Sequence, residues 1–187
     1  MIKKSKSLYA LLGILSLGPH SGYEIKKLIE QSLNHFWQEG YGQIYPNLKR
    51  LVELDLATVE LKKQDGKPDK KVYTITNLGR THLKNWLLTP IQELPKEKHE
   101  ILLKLFFGQN VSAEDNIAHV TLYKQRMEEV LEVYAHIETT LQNYDDKQPD
   151  TVYQLITVRN GIYHARAALA WCDETIEILK NTPKNQS

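Results

Sequence analysis

The spacing between apolar residues changes twice before position 90, and no other feature restricts the fold of this chain as much. Leu8, Leu11, Leu12 and Leu15 recur at threes and fours, the mark of one helical face, until Gly18-Pro19 ends the run. Ser21, with Glu24 three residues later, has the form of a capping box. It opens a second helix that turns Ile25, Leu28, Ile29 and Leu33 inward and closes at Phe36 and Trp37. Residues 38–42 hold two glycines and read as a turn. A third helix is predicted over 43–56, QIYPNLKRLVELDL, with Ile44, Leu48 and Leu51 as its apolar stripe and Pro46 within its first turn, where a missing N–H costs nothing. After Leu54 the period falls to two: Ala57, Val59 and Leu61 alternate with Thr58, Glu60 and Lys62, as in a half-buried strand. Asp65, Gly66 and Pro68 turn the chain, Val72 to Thr76 return as a second strand, and helical spacing resumes. That last helix is capped by Thr76 or Asn77, aligns Leu83, Trp86 and Leu87, and ends at Thr89-Pro90.

Helix, helix, helix, hairpin, helix is the order of a winged helix-turn-helix. Beyond it, PIQELPKEK reads as a linker and His99 to Phe107 as a short helix stopped by Gly108. Two heptad seams follow: Val120, Tyr123, Met127, Val130, Tyr134, Ile137, Leu141 and Tyr144, then Leu155, Val158, Ile162, Ala165, Leu169, Cys172, Ile176 and Leu179. DDKQPD supplies the turn between them. Helices of roughly thirty residues run about 45 Å, more than a small domain needs for its own core, so the second seam is expected to meet a partner chain. Leu155, Ile162, Leu169, Trp171 and Ile176 are the candidates for that dimer contact. The fold class is therefore mainly α with a small β-hairpin, a winged helix-turn-helix over 1–90 and a long-helix dimerisation and effector domain over 91–187.

Charge divides the same way. Residues 1–90 hold 14 Lys and Arg against 8 Asp and Glu, a net of +6, whereas residues 91–187 hold 10 against 15, a net of −5. The basic part suits a polyanion. In the third helix Gln43, Asn47 and Arg50 share a face bordered by Tyr45 and Lys49. Gln and Asn pair with adenine edges and Arg with guanine, so these residue types suit base contact in a major groove. The lysines of the hairpin, Lys67, Lys70 and Lys71 among them, suit phosphates; the alternative is a solvated strand edge that resists aggregation.

Other chemistry finds little support. The longest early apolar run, LYALLGILSL, is too short to span a bilayer and lacks a signal-peptide cleavage site, so a cytoplasmic protein is expected. Cys172 lies on a heptad seam and reads as a packing thiol. The seven histidines show no metal-ligand spacing, and no P-loop, GxGxxG or GxSxG occurs, so no cofactor, metal or catalytic activity is expected. Trp86, Tyr134 and Tyr163 with Arg159, His164 or Arg166 are the candidates for a small-molecule effector pocket. Packing is the plainer role for the aromatics, and partner-chain acids such as Glu128 or Glu132 the plainer partners for the arginines.

The segments SGYEI, QIYPNLKRL and KKVYTIT, in that order and followed by a long helical region, resemble the PadR family of bacterial repressors. The similarity covers nearly the whole chain and is to the variety with a long C-terminal domain. It implies a homodimeric winged-helix repressor that binds double-stranded DNA at a palindromic operator and is released by a small effector. It also implies DNA-contact roles for Ser21 and Tyr23 beside the third helix. Two departures stand out. The family has Glu-Gly after the third helix where this chain has Leu54-Asp55, which predicts a strained or reshaped helix end. Gly-Arg-Pro-Arg-Lys of the family's wing is Gly66-Lys67-Pro68-Asp69-Lys70 here, which argues against an arginine in a narrow minor groove. A winged-helix module that binds protein and no DNA is the competing class.

Overall fold

In the computed structural model, residues 6–33, 36–37, 41–64, 67–92, 98–143 and 149–181 are described. The chain forms two compact units, Met1–Leu94 and Pro95–Ser187. The first contains α1 (Lys6–Leu17), β1 (His20–Ser21), α2 (Gly22–Leu28), α3 (Tyr41–Glu53), β2 (Ala57–Gln64), β3 (Lys67–Ile75) and α4 (Asn77–Leu87). The capping box is present: the Ser21 hydroxyl accepts from the Glu24 backbone N–H, and the Glu24 carboxylate accepts from the Ser21 backbone N–H at 2.8 Å. Beyond Leu28 the helix loosens into a π turn over Ile29–Leu33, so Phe36 and Trp37 fall outside it.

Leu8, Leu11, Leu12 and Leu15 of α1 meet Ile25 and Ile29, the α3 stripe, and Leu56, Ala57, Tyr73 and Ile75 of the sheet. Ile44, Leu48 and Leu51 are at most 1% exposed. Burial of each such side chain contributes about 1.5–3 kcal/mol, and this docks α3 with its other face outward. Helix α3 starts two residues before the expected Gln43, which puts Pro46 beyond the first turn. Residues 38–40, 65–66 and 144–148, which carry parts of three expected turns, lie outside the described residues. The hairpin is part of a three-stranded antiparallel sheet in the order β1-β3-β2, with His20 opposite Tyr73 and Ser21 opposite Val72.

Asp55 closes α3 in the left-handed conformation, φ 56°. Its N–H donates to the Val52 carbonyl at 3.0 Å and that of Leu56 to Leu51 at 2.9 Å, the paired bonds of a Schellman ending. The Asp55 carbonyl then accepts from Thr76 Oγ1 at 2.7 Å, and Thr76 is the N-cap of α4. An L-residue in this conformation costs about 1 kcal/mol relative to glycine. Asp55→Gly should therefore raise the thermal midpoint by several degrees in a circular-dichroism melt. A lower midpoint would mean that the Asp side chain offsets the backbone cost.

The second unit holds α5 (Glu100–Phe106), a 3₁₀ turn (Gly108–Asn110), α6 (Ala113–Gln142) and α7 (Pro149–Lys180). Buried Asn116 ties the turn to α6 through amide bonds to the carbonyls of Gly108 at 2.9 Å and Ser112 at 3.1 Å. The two seams face each other. Tyr123 meets Trp171 edge to face, Lys124 bonds Asp173 at 2.6 Å and Arg159 bonds Glu138 at 2.7 Å. A Cβ on Gly161 would lie 2.5 Å from the Tyr134 ring. Position numbers rise along one helix as they fall along the other, so the pair is antiparallel.

One of the five expected dimer residues, Ile162, is taken up within the chain. Ile162 is 4% exposed and Cys172 0% within the single chain, covered by α6. Leu155, Leu169, Trp171 and Ile176 are half-buried. A heptad seam records that a helix packs on its face without recording whose helix it is. The apolar residues left open on α7 lie on its opposite side: Val152, Tyr153, Ile156, Tyr163 and Ile178.

Candidate nucleic-acid interface

With its apolar stripe buried, α3 turns Gln43, Tyr45, Lys49 and Arg50 outward and leaves Asn47 half-buried. Gln43, Asn47 and Arg50 follow one another at helical spacing along one line. Lys49 faces Glu53 at 3.6 Å, an exposed pair that holds it only weakly. Arg50 has no ion pair among the described residues.

Tyr45 sets the approach of α3 to α2. A Cβ on Gly22 would lie 2.4 Å from Tyr45 Cε1, so the ring occupies the space that any side chain at position 22 would need. Tyr73 stands nearby, and its phenol pKa is raised first by burial and then by Tyr45. Tyr23 is open to solvent at 69% exposure.

Between the start of α2, the outer flank of α3 and one side of the hairpin lies a cleft of about 1300 Å³. Strand register explains which residues line it: Val59 pairs with Tyr73 and Leu61 with Lys71, and all four reach the cleft. Lys27, Lys49, Lys70 and Lys71 also line it, against Glu24, Glu53 and Asp69. Lys71 is exposed. Lys70 is half-buried and donates to Glu24 Oε1 at 2.7 Å. The Glu24 carboxyl is consequently held at about 2 against an ordinary 4.5, chiefly by the Lys70 hydrogen bond and next by the Ser21 N–H. The backbone of Lys67 pairs with Gln64, and its side chain lies outside the described residues.

Two expected DNA contacts are engaged within the chain. Ser21 is buried and its hydroxyl is engaged by Glu24, so it shapes the start of α2 from behind the surface. Lys70 is clasped to α2 and is not a free wing cation. Lys27 and the apolar pair Val59 and Leu61 were not anticipated as cleft residues. The alternation of the hairpin carried the signal for the pair, since same-side positions two apart face the same way.

The six effector candidates have different surroundings. Trp86 belongs to the first unit, where it stacks on Tyr9 at 4.7 Å with the planes 7° apart. Tyr134 packs over Gly161 and Arg159 is paired with Glu138, while Tyr163, His164 and Arg166 are exposed. The second unit has a cleft of about 350 Å³ lined by Leu103, Lys104, Phe107, Val111, Asn116 and His119. Neither cleft includes any of the six.

Residues 11–85 match the family model described as the transcriptional regulator PadR-like family, and residues 97–180 match the virulence activator alpha C-terminal model. Residues 11–85 thus carry a PadR-like domain. The negative transcriptional regulator PadR of Bacillus subtilis (strain 168) is 38% identical over 109 residues, 57% of this chain and 59% of that protein, so the aligned part spans under two thirds of the relative. The crystal structure of Bacillus subtilis PadR in complex with operator DNA superposes with a TM-score of 0.83 at 25% identity, covering 94% of this chain and 99% of that one. The same protein in complex with p-coumaric acid gives a TM-score of 0.77 at 23% identity, covering 94% and 96%. The PadR-like segment contains α3, the hairpin and the cleft between them. No helix among the described residues is long and apolar enough to cross a membrane.

Proposed function

We propose that this PadR-type regulator is a repressor that binds a pseudo-palindromic operator as a homodimer, with one α3 in each of two major grooves, and that a small aromatic effector releases it. The observation that carries the reading is the surface of α3 outside its fully buried stripe, with Gln43 and Arg50 exposed and Asn47 half-buried along one flank, and Tyr45 and Lys49 on the flank that meets a cleft lined with lysines. Such a face has the donors and acceptors that base edges require, on a helix its own core holds rigid. The operator complex of Bacillus subtilis PadR supports the DNA reading, and its p-coumaric acid complex supports an aromatic effector. Self-association is supported by the uncovered apolar side of α7 carrying Ile156 and Tyr163, opposite the seam that α6 fills.

A two-fold dimer of this kind requires half-sites about 34–36 Å apart, or a multiple of that spacing. Selection of duplexes from a random pool, followed by footprinting, tests it. Arg50→Ala should weaken the selected duplex roughly tenfold, equivalent to about 1.4 kcal/mol, while leaving the fold unchanged. Full affinity in both Arg50→Ala and Asn47→Ala would move the reading surface off α3. An absence of duplex binding at any salt concentration would favour the protein-binding winged-helix alternative.

A further inference from the structure

Glu24 is used twice. Its Oε2 accepts from the Ser21 N–H at 2.8 Å and the Ser21 hydroxyl at 2.9 Å, and its Oε1 accepts from Lys70 Nζ at 2.7 Å. Ser21 is also the β1 residue that pairs with Val72 of β3. One carboxylate therefore joins the start of α2, the short strand β1 and the tip half of the hairpin, beside the wall of the cleft that Tyr45 and Lys49 form. Both partners of the ion pair are partly exposed, with side-chain exposures of 31% for Lys70 and 41% for Glu24, so the pair adds little to folding stability. Its significance is geometric. The capping box fixes the carboxylate before Lys70 arrives, and a preorganised acceptor holds a lysine with less loss of side-chain freedom than two mobile partners would.

We propose that Glu24 is a positioning residue of the DNA interface: by holding Lys70 it sets the hairpin's place relative to α3 and withholds that cation from phosphates, so that contacts from α3 decide affinity. This rests on the DNA-binding reading above. The other charges at the cleft do not duplicate the arrangement. Lys71 is exposed, Lys49 leans on Glu53 within its own helix, and Asp69 lies on the same strand as Lys70. A depressed Glu24 pKa fits a carboxylate that stays charged throughout the range in which DNA is bound. General affinity for DNA arises from counterions released as cations neutralise phosphates, so a lysine already neutralised by a carboxylate contributes nothing to the salt dependence.

The test measures binding of a selected operator duplex and a scrambled duplex of equal length by fluorescence anisotropy between about 50 and 200 mM salt. Wild type, Glu24→Gln, Lys70→Met and the double variant are compared. Gln keeps an acceptor for the helix cap, and far-UV circular dichroism establishes that each variant is folded. Glu24→Gln should tighten binding to the scrambled duplex several-fold, steepen its log–log salt slope by up to about 0.9 and lower the operator-to-scrambled ratio. Lys70→Met should lower the ratio without changing the slope, and the double variant should return the slope to the wild-type value. A slope flattened by about 0.9 in Lys70→Met, or an unchanged slope and ratio in Glu24→Gln, would overturn the proposal.

If wild type binds no duplex, the DNA reading fails and the clasp is read separately. In that case the Glu24 carboxyl, followed by NMR, should titrate far below the usual range and rise in Lys70→Met. An ordinary midpoint in wild type would refute the clasp itself.

Discussion

Gly79→Ala is expected to lower the thermal midpoint of the first unit by roughly 10–20 °C, although alanine normally favours a helix over glycine by up to about 1 kcal/mol. A Cβ at Gly79 would lie 2.1 Å from the Leu56 carbonyl oxygen and 2.9 Å from Ile75 Cγ1. That carbonyl cannot swing aside cheaply, because it accepts the Thr76 N–H at 3.1 Å where β3 passes into α4. Relief requires moving α4 away from the sheet, and overpacking of this kind costs about 1–3 kcal/mol or more. Gly13 in α1 is the control: a methyl group there would meet nothing within 4 Å, so Gly13→Ala should stabilise. Circular-dichroism melts of the two variants separate a steric cost from a propensity gain. Equal shifts of the same sign would show that close packing at Gly79 does not control stability.

Ile162→Asp should melt the helical pair of the second unit, with the loss of several kcal/mol that an unpaired buried carboxylate brings. Ile162 is 4% exposed beneath α6, whereas Ile156, on the opposite side of the same helix, is 60% exposed. Ile156→Asp should accordingly retain its helical signal, and if the proposed homodimer forms through that side it should shift the protein towards monomer in light scattering. Should Ile162→Asp remain fully helical and simply dissociate, the seam would lie between chains after all.

Periodicity and caps are local, so α1, the Ser21–Glu24 box, the presence of β2 and the two long helices are legible from the residues alone, although of the apolar face expected on β2 only Ala57 is buried. Strand β1 is not, because two residues carry no period and their pairing with Tyr73 and Val72 is a tertiary event. The start of α3 is misplaced by two residues because glycine at position 42 resembles a turn, yet the chain around it is helical. Lys70 looks like one more member of a basic run; its partner is remote in sequence, and neither composition nor spacing links them. The departure at Asp55 is the reverse case. It predicts a strained or reshaped helix end, yet the helix closes in the left-handed geometry that a glycine would give, because aspartate tolerates it better than most residues. Residue type alone indicates what a side chain can bind and not what it packs on: among the effector candidates, Trp86 stacks on Tyr9 and Tyr134 lies over Gly161.

The close approach of Tyr45 to Gly22 divides the outward residues of α3 by how freely they can be exchanged. Position 45 supplies a ring that lies over the bare backbone of Gly22, so a side chain at 22 would displace that ring. Positions 43, 47 and 50 carry no comparable duty towards α2. A library intended to retarget this regulator to a new operator should therefore vary those three and keep the tyrosine and glycine together, since a side chain at 22 would shift the ring at 45 and with it the surface that the start of α2 and α3 present side by side.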